Sequence, residues 1–333
     1  MAGLPWPGAV AVSGGGDSLA LMHLLAAWAR AKKMPPPLVL TVDHGLRRES
    51  KSDARKVAAW AKAAGLKSEI LTVRGAKPTS DIEAWARAAR LSLMAQSLTR
   101  RGLSALYVAH HQDDQAETFL IRLARGSGLD GLSAMRKLSP FPLPGLSGVM
   151  LARPLLDIPR ANLRAYLKSR RQAWLEDKMN SEMRFTRTRI RAAMAALAEA
   201  GLTAPRIADA AGHLARAREG LELATVSVLA RACRKEGDML LVDPEALAAA
   251  PREIGLRALA ALLSTVSGAG YRPRFESLER LFDQLAAGGV RTGWRGATLH
   301  GCRLKPAPVR HQAFGPNTLV ITRESSRSSP SGT

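Results

Sequence analysis

Cysteine and long hydrophobic runs are scarce in this chain. Its 333 residues contain two cysteines, Cys233 and Cys302. Because they lie far apart and form no C-x-x-C pair, the sequence argues against a zinc or iron–sulfur site and favours a reducing compartment, which we take to be the cytoplasm. The sequence has no run of about 18 uncharged apolar residues, the length that would be needed to span a membrane. We recognise no signal peptide at the N-terminus.

Acidic residues are a minority of the charged side chains. Asp and Glu number 28 against 49 Lys and Arg, which gives a formal net charge of +21. Such an excess favours a polyanionic partner, most simply a nucleic acid. The length allows two or three domains with a sizeable core.

Two common phosphate-binding motifs do not fit the glycine-rich segment that follows the first apolar strand. No lysine precedes Lys32, which excludes the G-x-x-x-x-G-K-[ST] loop there, and the third glycine of the dinucleotide fingerprint is absent from this segment. Instead, Ser13-Gly14-Gly15-Gly16-Asp17-Ser18 joins an apolar strand at 8–11 to a helix that includes Leu19. Glycines that turn backbone N–H groups toward one point, together with a helix N-terminus, make an anion site. Asp17 fits such a site as a Mg²⁺ ligand or as a helix cap.

The first half of the chain alternates apolar strands with helical segments. Further strands are predicted at 38–42, 68–73 and 103–109, and helices at 51–64, 81–98 and 113–125. This alternation predicts an α/β fold, a parallel sheet with helices on both faces, in which ligands bind beyond the carboxyl ends of the strands.

The rest of the chain divides by composition. A catalytic domain is predicted over 1–191, with a Pro- and Gly-rich loop at 140–148. An Ala-rich helical connector follows at 192–237, and a small α+β domain at 238–323 has helices near 244–264 and 274–287 and strands between 297 and 322. The Ser-rich end, 324–333, is predicted to be disordered.

Polar clusters follow two of the predicted strands. Asp43 and His44 close the second strand, where either a ribose or base contact or a simple strand-to-loop turn would explain them. After the fourth strand come the adjacent His110 and His111 and two carboxylates one helical turn apart. Neighbouring histidines point in different directions, so at most one joins the carboxylates. These carboxylates are Asp114, which could also cap the helix, and Glu117.

A pair of carboxylates is costly unless a cation lies between them. Mg²⁺ and a substrate amine both satisfy that requirement. Arg87 and Arg90 share a helix face with Glu83, where a surface salt bridge or a pair of guanidinium groups facing phosphate would both fit. Residues 151–191 add eleven Lys or Arg against four Asp or Glu.

In their order along the chain, these segments resemble the tRNA(Ile)-lysidine synthetase family of N-type ATP pyrophosphatases. The matching motifs, which span about residues 9–195, are SGGxDS (13–18), VDHGLR (42–47), ExxARxxR (83–90), AHHxDDQxET (109–118), RLxRGSGxxGL (122–132), RPLL (153–156) and W-x-E-D-x-x-N…R-x-R-I-R (174–191). The chain departs from the family at Leu91, at Lys178-Met179 and at Thr188.

The resemblance implies a reaction in which ATP adenylates the wobble cytidine of the CAU anticodon of tRNA(Ile), with loss of pyrophosphate, and free L-lysine then displaces AMP. It implies a catalytic set of Asp17, Asp43, His110, His111, Asp114 and Glu117. It implies ATP binding by Ser13, Gly14, Gly15, Gly16, Asp17, Ser18, Asp43, His44 and Arg87, with Mg²⁺ on Asp17. Lysine binding falls to Arg87, Asp114 and Glu117, and tRNA binding to Arg122, Arg125, Arg153, Arg187, Arg189 and Arg191. A homodimer is compatible with the family.

Two other functions stay open at this stage. A pyrophosphatase acting on a small molecule would share the phosphate loop, although the +21 charge argues against it. An RNA-binding protein without catalytic activity would share the charge, although the intact loop and carboxylates argue against that.

Overall fold

A computed structural model describes residues 3–46, 48–75, 78, 80–143, 148–176, 186–288 and 294–324, without the side chains of Glu83 and Thr186. The chain divides into two compact units, 1–215 and 216–333. The division falls inside one long helix, whereas the sequence places domain limits at 191 and 237. Those two limits stay predictions, as does the disordered tail over 324–333, of which residues 325–333 lie outside the described residues.

The first unit alternates strands and helices as its sequence indicates. Its strands are β1 (Gly8–Ala11), β2 (Leu38–Asp43), β3 (Ser68–Thr72), β4 (Ala105–Tyr107), β5 (Leu138–Pro140) and β6 (Met150–Ala152). Its helices are α1 (Gly16–Ala31), α2 (Ser50–Ala63), α3 (Ile82–Arg100), α4 (Gln112–Leu123), α5 (Leu129–Leu132), α6 (Arg160–Ser169) and α7 (Thr186–Glu199), and α8 (Ala204–Ala232) extends into the second unit.

The sheet of this unit has the strand order β3-β2-β1-β4-β6-β5. The first five strands in that order pair in parallel, and β5 pairs antiparallel with β6 at the edge. The predicted α/β class is therefore confirmed, and the two strands β5 and β6 are additions to it. They were missed because strands of three residues, one of them ending in Pro140, carry no periodic signal.

Alternation along the strands builds a core on each face of the sheet. Val10, Val39 and Tyr107 belong to the cluster packed against α1, α2 and α6. Their neighbours Leu40 and Leu106 belong to the opposite cluster, packed against α3. Successive strand side chains point to opposite faces, so strands buried on both sides need apolar residues at nearly every position. The carboxyl ends of β1, β2 and β4 then meet at one edge.

The second unit is a five-stranded antiparallel sheet with helices on one face. Its elements are β7 (Cys233–Glu236), β8 (Met239–Val242), α9 (Pro244–Ala248), α10 (Arg252–Ser267), α11 (Phe275–Ala286), β9 (Ala297–Leu299), β10 (Cys302–Pro306) and β11 (Leu319–Arg323), with the strand order β7-β8-β11-β10-β9. The helix predicted over 244–264 is broken into two because Pro251 cannot continue α9, and it instead precedes α10.

Candidate active site

The glycine loop between β1 and α1 has a backbone that its sequence dictates. Gly14 has a φ of +90°, and a Cβ at this position would lie 2.5 Å from Leu175 Cδ1. The Leu175 N–H donates to the Gly14 carbonyl oxygen at 2.9 Å, so a distant segment of the chain holds the turn. Both constraints make glycine necessary here.

Serine hydroxyls close the same turn. Ser18 Oγ donates to the Gly15 carbonyl oxygen at 2.8 Å and accepts from the Ser13 N–H at 3.2 Å. Gly15 occupies the N-cap of α1, where no side-chain hydrogen bond is made. The N-cap residue thus supplies no side-chain acceptor to the first N–H groups of α1, which leaves them available to an anion at the helix N-terminus.

A cavity of about 1050 Å³ opens over this loop at the carboxyl edge of the sheet. Ligand sites usually measure about 300–1,000 Å³, so the space suits a nucleotide. Apart from the loop, the polar and charged residues lining it are Thr41, His44, Glu49, Ser50, Asp53, Arg87, Arg90, His110, Arg160, Arg164 and Glu176.

Asp17 lines the cavity and lies close to two basic side chains. Its Oδ2 is 3.5 Å from His111 Nε2 and 3.3 Å from Arg160 Nε. Its Oδ1 is buried without a hydrogen-bond partner among the residues the structure describes. Burial pushes the pKa of Asp17 upward, but the contacts with His111 and the charges of Arg160 and Arg164 outweigh it, so that the pKa is lowered. Asp17 is therefore a carboxylate with one oxygen available.

Asp17 does not belong to a preformed metal cluster. Within the described part of the chain, no three His, Cys, Asp or Glu side chains are grouped to hold a metal ion. Mg²⁺ usually binds proteins through one or two carboxylates and completes its shell with water and substrate phosphates. The free Oδ1 of Asp17, beside a loop that binds anions, fits that mode.

The two adjacent histidines have different environments, as their spacing predicts. His111 is the N-cap of α4, where its Nδ1 accepts from the Asp114 N–H while Asp114 Oδ2 accepts from the His111 N–H. His111 Nε2 lies 3.4 Å from Asp114 Oδ2 and also faces Asp17. Burial favours the neutral ring, yet Asp17, Asp114 and Asp113 together raise the pKa of His111. This imidazole therefore joins the glycine loop to the start of α4.

His110 lines the cavity instead. Its Nδ1 is buried and finds no hydrogen-bond partner among the residues described. Burial is the main cause that lowers the pKa of His110 to about 4, although the charge of Asp114 acts in the opposite direction. His110 is neutral at pH 7 and offers an unpaired ring nitrogen to a ligand.

The pKa of His110 makes the stability of the fold depend on pH. The ordinary pKa of histidine is 6.5, and the folded value is about 4. Between these pH values the unfolded chain binds a proton at His110 that the folded chain does not bind. The free energy of unfolding therefore decreases as the pH falls through this range. When the pH is lowered from 7 to 5, the free energy of unfolding should fall in both proteins. We expect the fall to be about 2 kcal/mol smaller in His110→Asn than in the parent chain. Urea unfolding at the two pH values measures the difference, and equal losses would contradict the assignment.

The carboxylate pair of α4 is already engaged by an arginine. Glu117 is 4% exposed, and its two oxygens accept from Arg191 Nε at 2.5 Å and from Arg191 Nη2 at 3.1 Å. Arg191 Nη2 also lies 3.9 Å from Asp114 Oδ1. Arg191 of α7 thus supplies a cation to the pair. Arg191 was predicted to contact tRNA, and Glu117 to contact lysine; both roles stay predictions.

Of the polar residues at the end of β2, some line the cavity and one instead stabilises a turn. Thr41 and His44 line it, and His44 Nδ1 is buried without a described partner. Burial and then the charge of Arg90 lower the pKa of His44. Asp43 is 7% exposed, and its Oδ1 accepts from the Gly45 N–H at 2.9 Å, which is the turn chemistry weighed for this motif.

Helix α3 brings Arg87, Arg90 and Leu91 to the cavity. Arg90 is the more buried of the two arginines, and burial followed by the charge of Arg87 lowers its pKa. Two cations held close together in a cavity favour an anionic ligand. The Glu83 side chain lies outside the described part, so the salt bridge considered for this helix remains an open alternative.

Two of the arginines predicted to contact tRNA also hold the polypeptide together. Arg122 Nη1 donates to the carbonyl oxygens of Gly131 and Ala134 at 2.7 and 2.9 Å. Arg153 Nη1 donates to the Arg136 carbonyl oxygen at 2.9 Å. A guanidinium has five donors, so these bonds leave others for a phosphate.

The other arginines predicted for tRNA are Arg125, Arg187 and Arg189, and all three are exposed. Thr188, one departure from the family pattern, is half-buried in α7. The departure at Lys178-Met179 lies outside the described residues.

Sequence reasoning missed two arginines and a tryptophan that line the cavity. Arg160 and Arg164 come from α6, and Trp174 follows it. Residues 153–156 and 174–191 match family motifs, Trp174 among them, but the sequence gives Trp174 no role in the cavity, and α6 is not among the predicted helices. The i, i+4 spacing of the arginines, with Leu163 and Leu167 buried between and after them, is the signal that could have revealed a helix with a cationic face.

Comparisons with known proteins agree with this geometry. A family model described as a PP-loop domain matches residues 8–197. The tRNA(Ile)-lysidine synthase of Wolbachia pipientis is 37% identical over 322 residues, covering 96% of this chain and 71% of the relative. The synthase of Bradyrhizobium diazoefficiens is 41% identical, and the match covers 86% of this chain and 81% of the relative. The synthase of Methylobacterium nodulans is also 41% identical, and the match covers 90% of each chain.

Structural comparison supports the fold. The U34-tRNA thiolase NcsA of Methanococcus maripaludis, solved with its [4Fe-4S] cluster, matches with a TM-score of 0.51 and 16% identity over 64% of this chain and 70% of the other. Within the described ranges, no helix is long and apolar enough to cross a bilayer. On the strength of the sequence matches over most of its length, the chain belongs to the tRNA(Ile)-lysidine synthase family of PP-loop proteins.

Proposed function

We propose that this chain uses ATP to join free L-lysine to the wobble cytidine of the CAU anticodon of tRNA(Ile), forming lysidine and releasing AMP and pyrophosphate. One observation carries the proposal: Asp17 of the phosphate loop and Asp114 of the carboxylate pair contact the same imidazole, His111. The proposed ATP site and the proposed amine site would thereby be adjacent, as a two-step adenylation and aminolysis requires.

The first step places the triphosphate on the loop. Ser13, Gly14, Gly15, Gly16 and Ser18 bind the phosphates with backbone N–H and hydroxyl groups. Asp17 would hold Mg²⁺, which supplies positive charge to the phosphates when it is bound. Asp43, His44 and Arg87 contribute to nucleotide binding at the end of β2 and on α3.

In that step the 2-carbonyl oxygen of the cytidine attacks the α-phosphorus, and the bond to the pyrophosphate oxygen breaks. An anticodon base is unpaired, so little energy is needed to bring it into a cavity. The second step is attack by the lysine ε-amine on C2, with AMP leaving. Asp114, Glu117 and Arg87 would bind lysine. His110, which lines the cavity and is neutral at pH 7, would orient the base or accept a proton.

Binding of the tRNA is assigned to Arg122, Arg125, Arg153, Arg187, Arg189 and Arg191, together with the second unit. We further propose that the protein acts in the cytoplasm. We also propose that it forms a homodimer, and light scattering at several protein concentrations would test this oligomeric state.

The decisive experiment is mass spectrometry of tRNA(Ile) incubated with the protein, ATP and isotopically labelled lysine. We expect the label on the wobble cytidine, and omission of ATP should abolish it. Pyrophosphate release without any RNA requirement would instead identify a small-molecule pyrophosphatase. Binding of RNA with no pyrophosphate release would identify an inactive RNA-binding protein.

Two exposed cations on β10 of the C-terminal sheet provide a test of RNA binding. Arg303 and Lys305 are exposed on β10, where they alternate with the buried Cys302 and Leu304. If both cations contact phosphates, the double substitution to Gln should flatten the slope of log affinity against log salt by about 1 to 2. The double substitution of the exposed Lys62 and Lys67 to Gln is a charge-matched comparison in the first unit, and an equal slope change in both variants would contradict a specific role for β10.

A further inference from the structure

Helix α6 presents two guanidinium groups to the cavity from one face. Arg160 and Arg164 are one turn apart, and both line the cavity beside the glycine loop. The helix is fixed in place because Leu163 and Leu167 are buried in the core cluster that also contains Leu19 of α1. The two cations therefore come from a packed element rather than from a surface loop.

Further contacts position the start of α6 and the side chain of Arg164. The backbone N–H of Arg160 donates to Asp113 Oδ2 at 2.9 Å, which fixes the start of α6 against the start of α4. The guanidinium carbon of Arg164 is 5.9 Å from the centre of the Trp174 ring. That ring in turn packs on the loop, since a Cβ on Gly16 would lie 3.6 Å from Trp174 Cγ.

The arginines have more donors than the protein satisfies. The Nε atoms of Arg160 and Arg164 are both buried without a hydrogen-bond partner among the described residues. Asp17 Oδ2 lies 3.3 Å from Arg160 Nε, but the same oxygen also faces His111. Burying donors without acceptors is costly. An anion in the cavity would satisfy them, and a diphosphate has enough oxygens to bind both forks.

We propose that Arg160 and Arg164 bind the β- and γ-phosphates of ATP and stabilise the pyrophosphate as it leaves. The inference rests on the proposed adenylation and names two residues for it. When the cytidine oxygen bonds to the α-phosphorus, the bond from that phosphorus to the bridging oxygen breaks. The electron pair stays on the bridging oxygen, so pyrophosphate gains one negative charge, and no proton is needed. Two fixed guanidinium groups are preorganised for that charge.

The test measures pyrophosphate binding to the full chain by calorimetry, without tRNA or lysine. Arg160→Gln and Arg164→Gln should each weaken pyrophosphate binding by about 10- to 100-fold, the effect of one lost hydrogen bond to a charged group. Affinity for AMP, which lacks the leaving phosphates, should stay within about 3-fold. Arg170→Gln is the matched control, because Arg170 ends the same helix, stacks on Tyr166 and does not line the cavity.

The outcomes separate this inference from the function itself. Unchanged pyrophosphate affinity in both variants, or equal losses for pyrophosphate and AMP, would overturn the role of the arginines even if the protein makes lysidine. Selective loss of pyrophosphate affinity would support it even if no lysidine formed. Thermal unfolding controls for damage to the fold, and if a Gln variant unfolds, Arg160→Lys and Arg164→Lys serve instead, because they keep the charge and lose the bidentate fork.

Discussion

Replacing Asp17 with asparagine should reduce tRNA-dependent pyrophosphate release by about 100- to 1,000-fold, the loss expected when a preorganised electrostatic group is removed at the reacting centre. The amide keeps the shape of the side chain. It removes the charge that His111 and Arg160 face, and it makes the free Oδ1 a poor ligand for Mg²⁺. Affinity for tRNA should stay within a few-fold of that of the parent chain, because Asp17 lies inside the cavity.

Release of pyrophosphate in a single turnover is the measurement, with filter binding for tRNA. Asp157→Asn is a suitable control, because Asp157 is an exposed carboxylate that pairs with Lys137 away from the cavity. Near-normal pyrophosphate release by the Asp17 variant would refute its role in binding the metal.

Replacing Glu117 with glutamine should raise the KM for lysine by about 10- to 100-fold, since one charge-assisted hydrogen bond to an ammonium group is worth about 1.5–3 kcal/mol. Adenylation, measured as pyrophosphate release at saturating lysine, should survive in part. Glu117 is almost wholly buried and already binds Arg191, so the lysine amine must share or displace that partner.

The variant Arg191→Gln shows whether Glu117 binds lysine or only holds Arg191 in place. If Glu117 only anchors Arg191, both variants should show the same defect, because each breaks the same ion pair. If Glu117 also binds lysine, the Glu117 variant should raise the KM for lysine more than the Arg191 variant does. A normal lysine requirement combined with lost adenylation would reassign the carboxylate pair to Mg²⁺.

The parts of the site that lie close together in sequence were predictable. The six residues from Ser13 to Ser18 fix a strand end, a tight turn and a helix start within one segment. Gly14, at positive φ against Leu175, shows why glycine is needed there. The same holds for α4, where the cap formed by His111 and Asp114 involves residues three apart.

Contacts between distant segments were not predictable from residue patterns. The pair of Glu117 and Arg191 joins residues 74 positions apart, and nothing local to either one indicates its partner. Arg160 and Arg164 reach the cavity because α6 packs on α1, which depends on how the chain crosses the sheet. The short strands β5 and β6 are hard to predict for a related reason. Three residues are too few to show a periodic pattern, and neighbouring strands decide how they pair.

The His111 imidazole has a thermodynamic consequence. Because it contacts Asp17 on one side and Asp114 on the other, the two proposed substrate sites share a group whose position and charge respond to both. Any free energy of coupling between the sites is reciprocal, so the factor by which lysine changes the affinity for ATP equals the factor by which ATP changes the affinity for lysine. His111 is therefore the ring through which occupation of either proposed site would alter the other.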